Sequence, residues 1–202
     1  IADKVAISQD SQQFFSEKIL NMPNSYFITD NKQEIGTIPS RKELGLPEDK
    51  FIFCCFNKTS KLDEKTLDSF ANIMHKSPNS IIWLLCDHNY IKQNIINQFT
   101  IRGIGEERVY FAKRLPKSEH LARMQAADLF LDCFTVCAHT TAIDSLYAGL
   151  PVLTLQGKDM ISRASSSILT AAGLEGYITH SVEDFEETAI KFANTGIGCA
   201  KE

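Results

Sequence analysis

From residue 51 onward, continuous apolar runs of strand length alternate with stretches whose apolar positions recur at helical spacing. The runs are FIFCCF (51–56), SIIWLLC (80–86), RVYFAK (108–113), DLFLDC (128–133) and PVLTL (151–155), with YIT (177–179) as a short sixth. Between them lie LDEKTLDSFANIMHK (62–76), apolar at 62, 67, 70, 71, 73 and 74, and YIKQNIINQFTIRG (90–103), closed by Gly103. SEHLARMQAA (118–127), capped by Ser118, and TAIDSLYAG (141–149), with Gly149 at its end, follow the third and fourth runs. Residues 159–172, ending before Gly173, and 182–194 give the last two helices. A strand with helices on both faces reads as an unbroken apolar run, because neither face meets water. The alternation predicts an α/β fold with a Rossmann-like, doubly wound parallel sheet.

Residues 1–45 do not share this pattern. They hold one candidate strand at 5–7, the segment MPNSYFITD (22–30), and a turn-rich stretch running through Pro39 and Pro47. The expected division is a neighbouring domain's tail plus connector over 1–45, and a ligand-binding domain over 46–202. The opening IADKVAISQD has no charged n-region and apolar core of a signal peptide. It begins inside an apolar/polar alternation, so the chain is expected to start within a larger protein.

Composition narrows the function classes. The chain of 202 residues carries a net charge of −4 without a long basic run, which argues against nucleic acid as a partner. No apolar run approaches the roughly 18–20 residues of a membrane span. The six cysteines are Cys54, Cys55, Cys86, Cys133, Cys137 and Cys199. They include no CxxC pair, and Cys133, Cys137 and His139 match no zinc spacing well. Free thiols in apolar strands fit a reduced, cytoplasmic setting. No metal and no cofactor are expected.

The candidate chemistry concentrates in HTTAIDSLYAGLPVLTLQGKDMISR (139–163). A helix start with hydroxyls and unpaired N–H groups is a seat for phosphate. Asp144 falls one turn inside that helix, where a carboxylate can accept from sugar hydroxyls. Ligands in such folds bind beyond the carboxyl ends of the strands. That rule selects the loops 57–61, 113–117, 135–140 and 156–160, which carry Lys58, Lys61, Lys113, Arg114, Lys117 and His139. Cations on one rim suit a diphosphate. The sequence has neither GxGxxG nor GxxxxGK[ST], and no DxD pair to hold a metal diphosphate. Lysines and helix dipoles would have to meet the charge instead.

NKTSKLD (57–63), LPKSEHLARMQAADLFLD (115–132), HTTAIDSLYAGLPVLT (139–154) and SRASSSIL (162–169) resemble the carboxy-terminal lobe of the O-linked N-acetylglucosamine transferases. That family includes the plant SPINDLY-type proteins and bacterial relatives, and a bacterial origin is expected here. FFSEKILNMPNSYFITD (14–30) resembles the end of the family's amino-terminal lobe. The resemblance implies an inverting, metal-independent, two-lobed GT-B type glycosyltransferase with a UDP-sugar as donor and a protein or peptide as acceptor. It implies that Lys61 neutralises the leaving diphosphate. His139, Thr140 and Thr141 would grip the β-phosphate, and Asp144 would bind the ribose hydroxyls. His120 would pack on uracil with Arg123 and Lys117 beside it, and the backbone near Leu115 would read the base edge. Lys58 stands where many relatives have Gln, Leu115 where they often have Ala, and Ala164 where Val is usual. Most of the amino-terminal lobe, which meets the acceptor, and the tetratricopeptide repeats of many relatives lie outside this sequence.

Three other readings remain: an asparagine glucosyltransferase using UDP-glucose, a nucleotide-binding module inactive in isolation, and a sugar-nucleotide epimerase of related fold. Whether the pocket admits an N-acetyl group separates the first from the main reading.

Overall fold

The apolar runs become neighbours in one parallel sheet. The computed structural model describes residues 1–195. Its strands are β1 (Phe51–Cys55), β2 (Ser80–Leu85), β3 (Val109–Ala112), β4 (Leu129–Leu131), β5 (Val152–Leu155) and β6 (Ile178–Thr179). Their order is β3-β2-β1-β4-β5-β6, with every pairing parallel. The helices are α1 (Glu64–Lys76), α2 (Asn89–Ile101), α3 (Lys117–Met124), α4 (Thr140–Tyr147), α5 (Ala164–Ala171) and α6 (Val182–Thr195). Phe53 and Phe130 on the central strands and Phe70, Phe99 and Phe185 on the helices are fully buried. Among the described residues no helix is long and apolar enough to cross a membrane.

Local chemistry sets the helix ends. Asp63 caps α1, its carboxylate accepting from the Thr66 N–H at 2.9 Å. At the other end of α4 the chain turns back at Gly149, where φ is +80°. The Leu150 N–H then reaches the Ser145 carbonyl at 2.8 Å and closes the helix.

Three sequence expectations need correction. Ser118 does not cap α3: the helix starts at Lys117 behind Pro116, whose ring fixes the approach and brings no N–H to satisfy. Residues 159–172 are not one helix. A 3-10 turn at Met160–Ser162 precedes α5, because the chain doubles back tightly enough for the Gly157 N–H to bond the Ser162 carbonyl at 3.0 Å. A Cβ at Gly157 would lie 2.1 Å from Ser162 Oγ. The segment 5–7 is not a strand, because the Asp3 carboxylate accepts from the Val5 and Ala6 N–H groups and curls the chain. The one bridge in this region joins Ala2 to Asn21. Cys199 lies outside the described residues.

Residues 1–45 are clasped to the sheet by polar contacts. Buried Asp3 also accepts from the Tyr26 N–H (2.8 Å) and the Ser167 hydroxyl of α5 (2.6 Å). The Arg163 guanidinium donates to the Val5 carbonyl. Farther on, the Tyr147 hydroxyl of α4 donates to the Gln33 carbonyl (2.8 Å), and the Gly36 N–H to the Ser118 carbonyl of α3 (3.1 Å). Arg41 grips both oxygens of Asp128 at 2.7 and 2.8 Å, and Asp128 accepts from the Ile52 N–H at the start of β1.

The positive φ at Gly149 generates a stability test. An alanine there must hold a left-handed conformation, which costs about 1–2 kcal/mol. Gly149→Ala should lower the free energy of unfolding by about that amount with an unchanged denaturant slope, as read in urea melts.

Candidate functional site

In the order β3-β2-β1-β4-β5-β6 the winding reverses between β1 and β4. The turns leaving these two strands part there and open a crevice. Lys61, at the end of a 3-10 turn after β1, reaches across it. Its ammonium donates to the Cys137 carbonyl of the β4 turn at 2.8 Å.

Two residues farther on, His139 occupies the N-cap of α4, and its side chain makes no capping bond. Its Nδ1 lies 3.1 Å from the same Cys137 carbonyl, so Nδ1 is the donor. The Phe27 ring meets the imidazole edge-on at 5.7 Å. Inside the helix, the N–H groups of Ala142 and Ile143 both bond the His139 carbonyl. The N–H groups of His139, Thr140 and Thr141 find no acceptor among the described residues. The structure thus gathers an ammonium, two hydroxyls and three free N–H groups at one helix mouth.

Asp144 sits one turn inside α4, only 6% exposed, and accepts from the Lys117 ammonium at the start of α3. The pair ties the two helices together at the rim.

His120 lies one turn into α3, with its ring centroid 5.4 Å from that of Phe56. Arg123 donates to its Nδ1 from Nε at 3.0 Å and from the adjacent terminal nitrogen at 2.6 Å. Because Nδ1 accepts, the neutral ring carries its proton on Nε2. Burial, then the charges of Arg123 and Lys117, push the imidazole down to about 4. Burial likewise lowers Arg123, to about 10. At 2% exposure, with its other terminal nitrogen bonded to the Lys113 carbonyl and its plane over Phe56, Arg123 supports His120 from beneath. Sequence reasoning put it level with His120 at the rim.

Leu115 stands at the rim 40% exposed. Beside it the Arg114 N–H is held by Asp87 at 2.8 Å. Lys58 lines a separate cleft of roughly 220 Å³ on the β2–β3 side, with Asp87, His88 and Arg114. Lys58 and Lys61 therefore face different parts of the rim. Among the described residues no group of three His, Cys, Asp or Glu side chains is placed to hold a metal ion.

Two residues that the sequence reading passed over lie under the crevice. Asp132 is fully buried at the end of β4, and Asn57, 3% exposed, follows β1. A carboxylate closing an apolar strand on the ligand-binding rim was the available signal for Asp132.

The model of glycosyl transferase family 41 matches residues 33–198. A probable UDP-N-acetylglucosamine–peptide N-acetylglucosaminyltransferase, SEC, of Arabidopsis thaliana is 34% identical over 96% of this chain and 20% of its own length. The SPINDLY protein of Solanum lycopersicum, given the same probable activity, is 26% identical over 96% of this chain and 21% of its own. The chain therefore spans about a fifth of the length of these two relatives. A solved O-GlcNAc transferase of Thermobaculum terrenum superposes with a TM-score of 0.84 at 24% identity, over 95% of this chain and 36% of that one.

The neutral, Nε2-protonated state of His120 has a direct readout. In a carbon-13 titration followed by NMR, the His120 signal should move with a midpoint near pH 4. A midpoint near 6.5, the ordinary histidine value, would remove the Arg123-backed tautomer.

Proposed function

The chain belongs to glycosyl transferase family 41, and we propose that it is the donor-binding half of an inverting, metal-independent transferase. In this reading the enzyme moves N-acetylglucosamine from UDP-GlcNAc to serine and threonine hydroxyls of proteins. The observation that carries the reading is the convergence of the Lys61 ammonium and the unpaired first turn of α4 on one point of the crevice.

In this reading the reaction is a single displacement at the anomeric carbon. The acceptor oxygen bonds to the anomeric carbon from the face opposite the diphosphate, and the carbon–oxygen bond to the β-phosphate breaks. UDP leaves with that electron pair, and the acceptor proton passes to a base on the amino-terminal lobe. Configuration at the anomeric carbon inverts. Negative charge grows on the β-phosphate as the bond breaks. In this reading Lys61, the free N–H groups and the Thr140 and Thr141 hydroxyls meet it. Losing one such donor typically costs about 10²–10³ in rate. A positive charge and a helix dipole already placed at the mouth do the work that a divalent ion does in sites with paired acids.

Asp144 would accept from the ribose hydroxyls while Lys117 orients it. Uracil would lie against His120, whose neutral ring offers a flat face and an Nε2–H donor. The backbone at Leu115 would meet the edge of the base. The cytoplasm, where nucleotide sugars and reduced thiols coexist, suits five buried free cysteines.

Binding tests this reading. UDP should bind the chain in the presence of a chelator, as read by calorimetry. Asp144→Asn should weaken UDP about tenfold, the order expected for a hydrogen bond to a charged group. The same change should leave pyrophosphate within a factor of three, and equal losses for the two ligands would remove Asp144 from the ribose. Transfer is expected to need the other lobe, since orientation of the acceptor is worth about 7–11 kcal/mol of barrier. A labelled-sugar assay should therefore detect no peptide transfer by this chain alone, and clear transfer by it would place the acceptor machinery within these residues.

A further inference from the structure

The Asp132 carboxylate is fully buried, and among the described residues no cation touches it. It is held by donors alone. One oxygen accepts from Asn57 Nδ2 at 3.1 Å, from the Cys133 N–H at 2.8 Å and from the Ala138 N–H at 2.7 Å. The other accepts from the Thr154 hydroxyl at 2.9 Å and the Ser165 hydroxyl at 2.5 Å. The five donors come from the turn after β1, the turn after β4, the residue before the α4 cap, β5 and α5. Burying an ionised carboxylate without a partner charge is costly, and burial raises this group above the ordinary aspartate range. An apolar residue there would leave these buried donors without an acceptor. A carboxylate is suited to the place by its capacity, since two oxygens offer about four lone pairs to donors from five directions.

The first oxygen shows what the arrangement accomplishes. It takes Asn57, four residues before Lys61, and Ala138, one residue before His139, on the same atom. The two walls of the crevice are thereby fixed to one point beneath it. Ser165 Oγ lies within hydrogen-bond distance of both the Asp132 carboxylate and the Ala138 carbonyl (2.7 Å), and its single proton serves one of these two acceptors at a time. We propose that Asp132 is the positioning residue of the phosphate site: it sets the distance between the Lys61 turn and the first turn of α4, so that both reach the same phosphate. Asp132 touches no ligand and acts through Asn57 and Ala138. The proposal rests on the reading of this crevice as a diphosphate site.

The test compares ligands that differ at the β-phosphate. UDP, UMP and uridine are titrated into the whole chain carrying wild-type Asp132, Asp132→Ala, Asp132→Asn or Ser165→Ala. Asn keeps one oxygen for the N–H donors and turns an amide toward the two hydroxyls, so Asp132→Asn should keep the UDP-to-UMP affinity ratio within about threefold. Asp132→Ala should lower that ratio at least tenfold while uridine affinity stays within about threefold, and Ser165→Ala should fall between. Equal loss of all three ligands would mark Asp132 as a general support of the fold and overturn the proposal, as would an unchanged ratio in Asp132→Ala. Amide hydrogen exchange without ligand supplies the second readout. In Asp132→Ala the hydrogen-bonded amides of Ala138, Ala142 and Ile143 should exchange at least tenfold faster with β1 and β2 unaffected. Uniform acceleration, or none, overturns the proposal. If wild-type chain shows no preference for UDP over UMP, the diphosphate reading itself fails, and the exchange data alone then decide whether Asp132 positions the α4 mouth.

Discussion

A parallel sheet wound outward in both directions from one strand cannot close its rim, and the site depends on that gap. After β1 the chain passes to β2 on one side; after β4 it passes to β5 on the other. The two departing turns separate, and backbone groups that would be sealed elsewhere in the sheet are left facing a crevice. Such a crevice ends in polar backbone, which must find partners or face water. The turns here resolve the difficulty unevenly. The Ala138 N–H is buried on Asp132, the Cys137 carbonyl is taken by Lys61, and the three N–H groups that follow are left free at the surface. The sorting creates an electropositive spot in a chain whose net charge is −4.

Electrostatics at the rim are arranged in two zones. Around the α4 mouth the groups are donors: an ammonium, hydroxyls and N–H. One turn deeper the sign reverses at Asp144, and Lys117 keeps that carboxylate from repelling an anion held at the mouth. A ligand matched to this order has its phosphates outside and its hydroxyls inside. His120 adds a third zone, uncharged because burial and two neighbouring cations suppress its proton.

Much of the fold was legible because burial on both faces leaves an unmistakable mark. The runs at 51–56 and 80–86 exceed the observed strands by a single residue each. Helix starts were less legible. Ser118 has the chemistry of a cap, yet Pro116 settles the matter by geometry. The break before α5 depends on Gly157 meeting Ser162, a contact five residues apart that periodicity does not register. The helix mouth and its carboxylate could be read from His139–Thr141 and Asp144 because they are contiguous. The burial of Arg123 beneath His120 could not, since an arginine three residues along a helix reads as a surface residue. Asp132 was hidden for a different reason: its donors at 57, 133, 138, 154 and 165 are scattered over the chain and meet only once the sheet has formed.

The strap over α3 and α4 has a mechanical side. Tyr147 fastens Gln33, and Ser118 fastens Gly36, so the chain between residues 33 and 36 lies tied across the two helices joined at their rim by Lys117 and Asp144. The next firm anchor is Arg41, at the opposite end of β1 from the crevice. Tension arriving along the backbone from the amino-terminal side therefore meets the Asp3 clasp on α5 first, then α3 and α4, and reaches the sheet afterwards. The two helices behave as a crossbar, and the clasp on α5 is a stop set ahead of it.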